Sequence, residues 1–363
     1  MYFVLLIIKK ISVEWDMKKV LFRSLLSLML IISSFRFYDF SSVAANTNTV
    51  IVIDPGHGGV GGTNLGAVYN GFMEKDLTLQ VANAMKSELE KYDGVTVYMT
   101  RSTDKYLSLE DRAEYAKQVG ASYVFSIHFN ASSEHDFYGS EIWCPSSGEY
   151  YKKGYEFGLV EQNELSMLGL YQKGVKTKVG SKGDYYGIIR QCTARGITCD
   201  IIEHCYLDHG YDLQNLSTEN FISSLGIADA TAVAKFLKLC SKDGKTDYSN
   251  FTYTNVKTPK SVVKQDITNP ETCNISVLSY DSASRNALVE LTAKDKQSPI
   301  IYFSYSVDGG KSFCTLGMWD RTKDTQSFNI KIPVNMKAAN IIVRAFNNYE
   351  LYSDSNGIFL ETK

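Results

Sequence analysis

The chain reads as an α/β protein, a mostly parallel sheet flanked by helices, followed by a smaller all-β sandwich. Three observations predict this. Apolar runs with little polar alternation, Val50-Ile51-Val52-Ile53 and Tyr123-Val124-Phe125-Ser126-Ile127, interleave with helix-period segments as far as about Cys240, as strands covered on both faces do. Beyond Asp243 the helical period stops and short strand-like runs recur between turn residues. At 363 residues the chain is too long for one small core and suits two.

Residues 1–45 read as a secretory signal peptide, with a possible start at Met17. Lys18 and Lys19 precede an apolar stretch from Leu25 to Ile32, and Ser42-Val43-Ala44-Ala45 supplies small residues for cleavage. The apolar core is too short to cross a bilayer, and Arg36 and Asp39 interrupt its extension, so no stable membrane span is expected.

Residues 46–242 form the α/β unit. Its first strand ends in Asp54-Pro55-Gly56-His57-Gly58-Gly59, a turn opening at the C-terminal edge of the sheet, where open α/β folds place their ligands. Glu74-Lys75-Asp76 starts a helix whose apolar face runs through Leu77, Val81 and Met85, with acids in the first turn where the dipole favours them. Val95–Thr100 reads as a strand, Leu109–Val119 as a helix, and a further strand ends at His128. Gly148 to Gly183 is mixed and Tyr-rich, expected to be helical with long loops. Ile197 to Glu203 is another strand, and Ser217 is expected to cap a last helix reaching about Lys238.

Residues 243–269 lack any period and read as a linker. Residues 270–363 then carry the sandwich strands, Cys273–Tyr280, Ala287–Ala293, Ile300–Val307, Ser327–Ile332, Ile341–Phe346 and a run near Ile358, with a hairpin signal at Asp308-Gly309-Gly310. This part resembles an immunoglobulin or fibronectin type III module. Tyr302, Phe303, Tyr305, Phe313 and Trp319 could stack on sugars, but Phe303 and Tyr305 share a strand face, which favours a core role.

A net charge of −2, with Lys and Arg spread along the chain, excludes a basic nucleic-acid footprint. Seven cysteines show no CxxC spacing, so neither a redox motif nor a Cys-rich zinc knuckle is indicated. Cys273 and Cys314 could pair. The Gly-rich run from Gly56 to Gly66 lacks the Lys-Ser/Thr of a phosphate cradle, and no GxSxG elbow occurs.

The chemistry-bearing residues are His57, Glu74, His128 and Glu203. His57 and His128 end two strands and Glu74 opens a helix, so all three can converge on one sheet edge. Two imidazoles and a carboxylate suit zinc and leave the fourth tetrahedral position open, as catalytic sites do. Glu203 ends a further strand, where a buried carboxylate is costly without a partner; it is the natural general base. His204 points to the opposite face by strand alternation. Asp54 is expected to orient a histidine ligand or cap the loop. Arg101 and Arg112 are expected to order the loop after the second strand by ion pairing or to contact a substrate carboxylate, and His135 and His209, in polar loop sequence, are expected to be solvated.

Taken in order, VIVIDPGHGG, Glu74, TRSTD at Thr100 to Asp104, SIHFNA at Ser126 to Ala131 and IIEHCYL around Glu203 resemble the zinc-dependent N-acetylmuramoyl-L-alanine amidases of the third amidase family. The resemblance covers roughly Val50 to Lys238. It implies a bacterial peptidoglycan hydrolase, secreted or wall-associated, that cuts the amide between N-acetylmuramic acid and the L-alanine of the stem peptide. It also implies Zn2+ held by His57, Glu74 and His128, and Glu203 as the catalytic carboxylate. The second reading is a non-catalytic wall-binding or adhesion protein. The sandwich could bind a cell-wall polymer; since no expected catalytic residue lies beyond Thr258, its removal is expected to leave hydrolysis of soluble muropeptides largely intact.

Overall fold

The computed structural model describes residues 48–361, so the signal peptide expected over residues 1–45 lies outside the described residues. The first module is built on a six-stranded sheet: β1 Thr49–Pro55, β2 Val95–Met99, β3 Tyr123–Asn130, β4 Ser140–Trp143, β5 Gln172–Lys176 and β6 Thr198–Tyr206, in the order β2-β1-β3-β6-β4-β5. The first four in that order are parallel, β4 runs antiparallel to β6, and β5 runs parallel to β4. Strands β4 and β5 extend the sheet beyond the four that the apolar runs predict. β4 is only four residues long, and β5, Gln-Lys-Gly-Val-Lys, has no strand-like composition.

Alternation along β1 separates two cores. Ile51 and Ile53 face α1 Glu74–Leu89 and α6 Phe221–Phe236, while Val52 faces α2 Leu109–Gln118 and α4 Gly187–Thr193. Helix α2 starts on a capping box in which the Asp111 N–H donates to Ser108 Oγ at 3.0 Å and the Ser108 N–H donates to Asp111 Oδ2 at 3.3 Å. Helix α3, Gly148–Met167, covers β4 and β5 from the first side.

The last helix starts differently from expectation. Ser217 closes the short helix α5, Gly210–Leu216, by donating to Leu213 O, and α6 begins after Asn220 in a left-handed conformation. A serine hydroxyl can bond backward to a carbonyl as readily as forward to an amide, which is why the residue type alone misled.

The second module is a sandwich. One sheet pairs β7 Thr272–Asp281, β8 Asn286–Lys294 and β10 Thr325–Lys331; the other joins β9 Ile300–Ser306, β11 Ala338–Asn347, β12 Tyr352–Asp354 and β13 Ile358–Glu361. Ile275, Val289 and Leu291 meet Phe303, Ile341 and Val343 between them. The aromatic sugar platform does not form: Tyr302, Phe303 and Trp319 are buried. Cys273 and Cys314 are unpaired, Cys273 lying in the core and Cys314 on the surface.

The two modules share a core. Ile301, Tyr302, Leu316 and Phe346 pack against Phe137, Tyr138 and Tyr206, the Tyr302 hydroxyl donates to Tyr138 O, and the Tyr171 hydroxyl donates to Ile301 O at 2.5 Å. The segment between α6 and β7 is strapped to the first module, with the Val263 N–H donating to Ser146 O at 2.7 Å and Thr177 Oγ1 donating to Val263 O at 2.8 Å.

Candidate metal centre

Strand β1 delivers His57 to the C-terminal edge of the sheet in a left-handed conformation, φ 60°, an uncommon backbone state for a non-glycine residue that the surroundings must hold in place. Buried arginines do so. Arg112 donates to Pro55 O at 2.7 Å and to His57 O at 2.5 Å, while Arg101 donates to Pro55 O at 3.0 Å and to Gly56 O at 2.8 Å. Both side chains are spent mainly on the loop after β1, where the expectation placed them on the loop after the second strand; they reach that loop through single bonds to carbonyls, Arg101 to Thr103 O and Arg112 to Leu107 O, both at 3.2 Å.

Asp54 acts on the histidine at one remove. Its carboxylate accepts from Arg112 at 2.6 Å, from Thr100 Oγ1 at 2.6 Å and from Ser126 Oγ at 2.9 Å, so it fixes the arginine that fixes the His57 backbone. Burial alone would raise its pKa, but Arg112 and the two hydroxyls outweigh that and hold the carboxyl below its usual range.

Glu74 is the first residue of α1, and its buried carboxylate is the hub. Oε2 accepts from the Ala67 N–H at 2.8 Å and Oε1 from the Phe129 N–H at 3.0 Å. Oε1 also stands 3.1 Å from His57 Nε2 and 2.9 Å from His128 Nδ1. Burial pushes the Glu74 pKa up, yet the two imidazoles overcome it and hold the group well below the carboxylate range. For His57 burial lowers the pKa, and Glu74 more than restores it, leaving a net rise.

Two glycines make this closeness possible. A Cβ on Gly56 would sit 2.4 Å from His128 Cε1, and one on Gly66 would sit 2.3 Å from Glu74 Oε2. The three ligand atoms all lie within 4.8 Å of one another. His57 Nδ1 is 3.2 Å from the Asn64 carbonyl oxygen; donation from Nδ1–H leaves the Nε2 lone pair facing Glu74 and His128. Two imidazoles with free lone pairs and one ionised carboxylate fit a zinc ion. Asn64 escapes sequence reading because nothing about a Thr-Asn-Leu loop marks one amide as the partner of a histidine.

Glu203 lies on β6 in register with His128 of β3 on one side and Glu141 of β4 on the other. Register partners in adjacent strands project to the same face, so Glu203 and His128 share one. Glu203 Oε2 is buried without a hydrogen-bond partner. Burial, then Glu74 and Glu141, push its pKa well above the carboxylate range, and Lys173 and Lys176 only partly oppose this. Next along the strand, His204 turns to the other face, where its ring lies 3.0 Å from Asp229 of α6 and 3.1 Å from His128 O.

The sequence-profile comparison matches residues 51–235 of the chain, just over half of it, to the third amidase family, described as N-acetylmuramoyl-L-alanine amidase. The sporulation-specific N-acetylmuramoyl-L-alanine amidase of Bacillus subtilis (strain 168) is 30% identical over 200 residues, which cover 53% of this chain and 71% of that protein. This chain belongs to that amidase family. The N-acetylmuramoyl-L-alanine amidase CwlM of Bacillus licheniformis is 29% identical over 193 residues, covering 52% of this chain and 69% of that protein. A solved N-acetylmuramoyl-L-alanine amidase from Clostridium difficile 630 aligns at 25% identity and TM-score 0.46, covering 55% of this chain and 100% of the other.

Two hollows flank the amidase centre. One, of about 230 Å³, lies against His57, His128, Asn64 and Tyr106–Leu109. The other, of about 500 Å³, is lined by Glu203, Glu141, Trp143 and Tyr186 of the amidase module, by Gln265–Ile267, and by Tyr349 and Glu350 of the sandwich. The remaining histidines lie apart. His135 is half-exposed with its Nδ1 2.7 Å from Asp208 Oδ2, and His209, expected in solvent, is buried, accepting from the Tyr211 N–H at 3.2 Å and stacked on Tyr138. Polar flanking sequence hid the aromatic neighbour that covers it.

Proposed function

We propose that this amidase cleaves the bond between N-acetylmuramic acid and L-alanine with zinc held by His57, Glu74 and His128, and with Glu203 as the proton carrier. The observation that carries the reading is the convergence of the three ligand atoms beside a strand on which Glu203 stands in register with His128. When bound, zinc supplies Lewis acidity for the scissile carbonyl and brings the pKa of water toward about 7.

The chain's own residues do the rest. Asn64 keeps the His57 tautomer, the Ala67 and Phe129 amides orient the Glu74 carboxylate, and Asp54 with Arg112 keeps the His57 loop in its strained conformation. Glu203 takes a proton from the attacking water and delivers it to the departing L-alanine nitrogen, which leaves as a neutral amine instead of an amide anion. Its buried Oε2, which has no hydrogen-bond partner, is free to meet the water and then the departing nitrogen.

A non-catalytic wall-binding protein would have no use for an unpartnered carboxylate beside the donor set. Action on peptidoglycan goes with secretion or wall association, to which a signal peptide at residues 1–45 would lead; no helix among the described residues is long and apolar enough to cross a membrane. We assign the division as residues 46–242 for the amidase, 243–269 for the linker and 270–363 for an immunoglobulin- or fibronectin-like sandwich that holds a cell-wall polymer. The test is mass spectrometry of digested peptidoglycan together with metal analysis. New L-alanine N-termini, free muramic lactyl carboxylates and about one zinc per chain are expected; cleavage within the glycan or the peptide would overturn the reading.

A further inference from the structure

The larger hollow is unusual in its ownership, because one of its walls belongs to the second module. The turn after β11 is stiffened by Asn347, whose Oδ1 accepts from the Tyr349 N–H at 3.0 Å and the Leu351 N–H at 3.1 Å, and whose Nδ2 donates to Asp295 at 2.9 Å and Asp266 at 3.2 Å. Glu350 takes a left-handed conformation at the tip, φ 67°, and so aims its side chain back at the amidase module.

The turn is then bolted down. Lys176 Nζ donates to Asn348 O at 2.9 Å, the Thr177 N–H donates to the Tyr349 hydroxyl at 3.2 Å, that hydroxyl donates to Thr177 O at 3.2 Å, and the Tyr206 hydroxyl donates to Glu350 Oε1 at 3.0 Å. Lys173 Nζ also pairs with Glu350, and both lysines pair with Glu141, the register neighbour of Glu203. Glu350 keeps about a third of its side chain exposed, toward the hollow.

We propose that this turn of the sandwich is part of the substrate site, and that Glu350 with Tyr349 binds a stem-peptide residue carrying a primary amine. The inference rests on the amidase reading above. The donor centre and its 230 Å³ hollow lie on the β1 and β3 side of Glu203, whereas the 500 Å³ hollow has Glu203 in its lining and runs from the end of β3 at Asn130–Glu134 across to Glu141, Trp143 and Lys176 of β4 and β5. A substrate whose amide sits at Glu203 therefore extends one arm under the turn.

Charge selects which arm. The hollow is lined by Glu134, Glu141, Glu203, Asp266 and Glu350 against Lys176 and Lys178. Lys176 pairs with Glu141, and Lys173, from behind the lining, pairs with Glu141 and with Oε1 of Glu350, which leaves Oε2 of Glu350, Glu134 and Asp266 against Lys178. An excess of carboxylates has nothing to read on a neutral sugar, whereas it discriminates an ammonium from its uncharged counterpart. Removing the sandwich at Thr258 would then strip a wall from the cleft instead of merely detaching a wall-binding appendage.

The experiment measures binding of a free tripeptide, L-Ala-D-Glu-L-Lys, and of its Nε-acetylated form to the full chain by calorimetry, with muropeptide hydrolysis followed separately. Wild-type protein is expected to prefer the free amine about tenfold, and Glu350→Gln should cut that preference below about threefold, as the loss of one partly exposed charge pairing implies. Glu134→Gln, on an exposed loop of the same hollow, removes a lining charge at no risk to the fold and should lower the preference as well. A wild-type protein that does not distinguish the two peptides, or variants that keep the full preference, would overturn the proposal. Because peptide binding is read without turnover, a protein that binds selectively but cuts a different bond fails the amidase reading alone, and one that cuts muramoyl-alanine without amine preference fails this proposal alone.

Discussion

Two buried charge clusters lie on either side of Glu203, and they are built on different plans. The donor cluster gathers Asp54, His57, Glu74, Arg112 and His128, all within one stretch of the amidase module and all at strand or helix ends. The seam cluster gathers Glu141, Lys173 and Lys176 of the outer strands with Glu350 of the sandwich. In the first, Glu74 is held ionised by two imidazoles that could share a cation with it. In the second, burial would raise the Glu141 pKa but Lys173 and Lys176 bring it down to about 2, so Glu141 is already neutralised by its two lysines. One cluster is poised to take a metal; the other fastens two modules together.

Glu203, which faces both, gives the sharpest test. Glu203→Gln keeps shape but cannot carry the proton, so turnover on muropeptides should fall roughly a hundred- to ten-thousandfold. Zinc content should stay unchanged, since none of the three expected ligands is altered. A near-wild-type rate would move the base elsewhere, and His204 is poorly placed to inherit the role because its ring is buried on the other face against Asp229.

The plans also predict unequal tolerance to losing a cation. Arg112→Met strands the Asp54 carboxylate, whose only ion-pair partner among the described residues is Arg112, and breaking such a buried pair costs about 3–5 kcal/mol. Lys173→Met leaves Glu141 still paired with Lys176 and should cost less. Denaturant unfolding of the two variants checks the order, and the reverse order would remove the contrast drawn between the clusters.

The same contrast explains what could be read in advance. His57, Glu74 and His128 were legible because each sits where an apolar strand run stops or a helix begins, and because the order of their motifs carries family information. Glu203 was legible as an acid closing an apolar strand. The seam was not. Lys173 and Lys176 lie in a strand of polar composition, Glu350 lies in a turn, and the 177 positions between Lys173 and Glu350 close only when two cores dock. The positions of Ser217 and His209 were missed for a related reason, since each is decided by a neighbour that local pattern does not specify.

A third test probes the amidase side of the seam by pH. Asp212 Oδ2 accepts from the Gly139 N–H and the Tyr206 N–H, both at 2.8 Å, tying the loop before β4 to the end of β6. Burial nevertheless pushes its pKa up to about 6 from an ordinary value of 3.8. Because the folded value is the higher one, its contribution to stability is fully present below about pH 4 and is lost as pH rises through about 6. Such a rise is worth at most about 3 kcal/mol. Asp212→Asn, which keeps one acceptor and cannot ionise, should flatten the stability profile between pH 4 and 6; an unchanged slope would assign that dependence to another group.

The smallest effect is expected at Asn64, and it tests whether the donor cluster is tuned as well as assembled. Asn64 accepts from His57 Nδ1 and its amide nitrogen donates to Gly58 O at 3.2 Å, so one side chain sets both the tautomer and the loop. Outer partners of histidine ligands are typically worth ten- to a hundredfold in metal affinity, and Asn64→Ala should weaken zinc binding by about that much in a competitive chelator titration. Asn64→Asp separates the two jobs. It keeps an acceptor for Nδ1–H and tolerates the left-handed backbone, φ 49°, while giving up the bond to Gly58. Affinity restored by Asp but not by Ala places the effect in the tautomer of His57. Equal loss in both places it in the loop, and wild-type affinity in both would show that His57 needs no orienting partner.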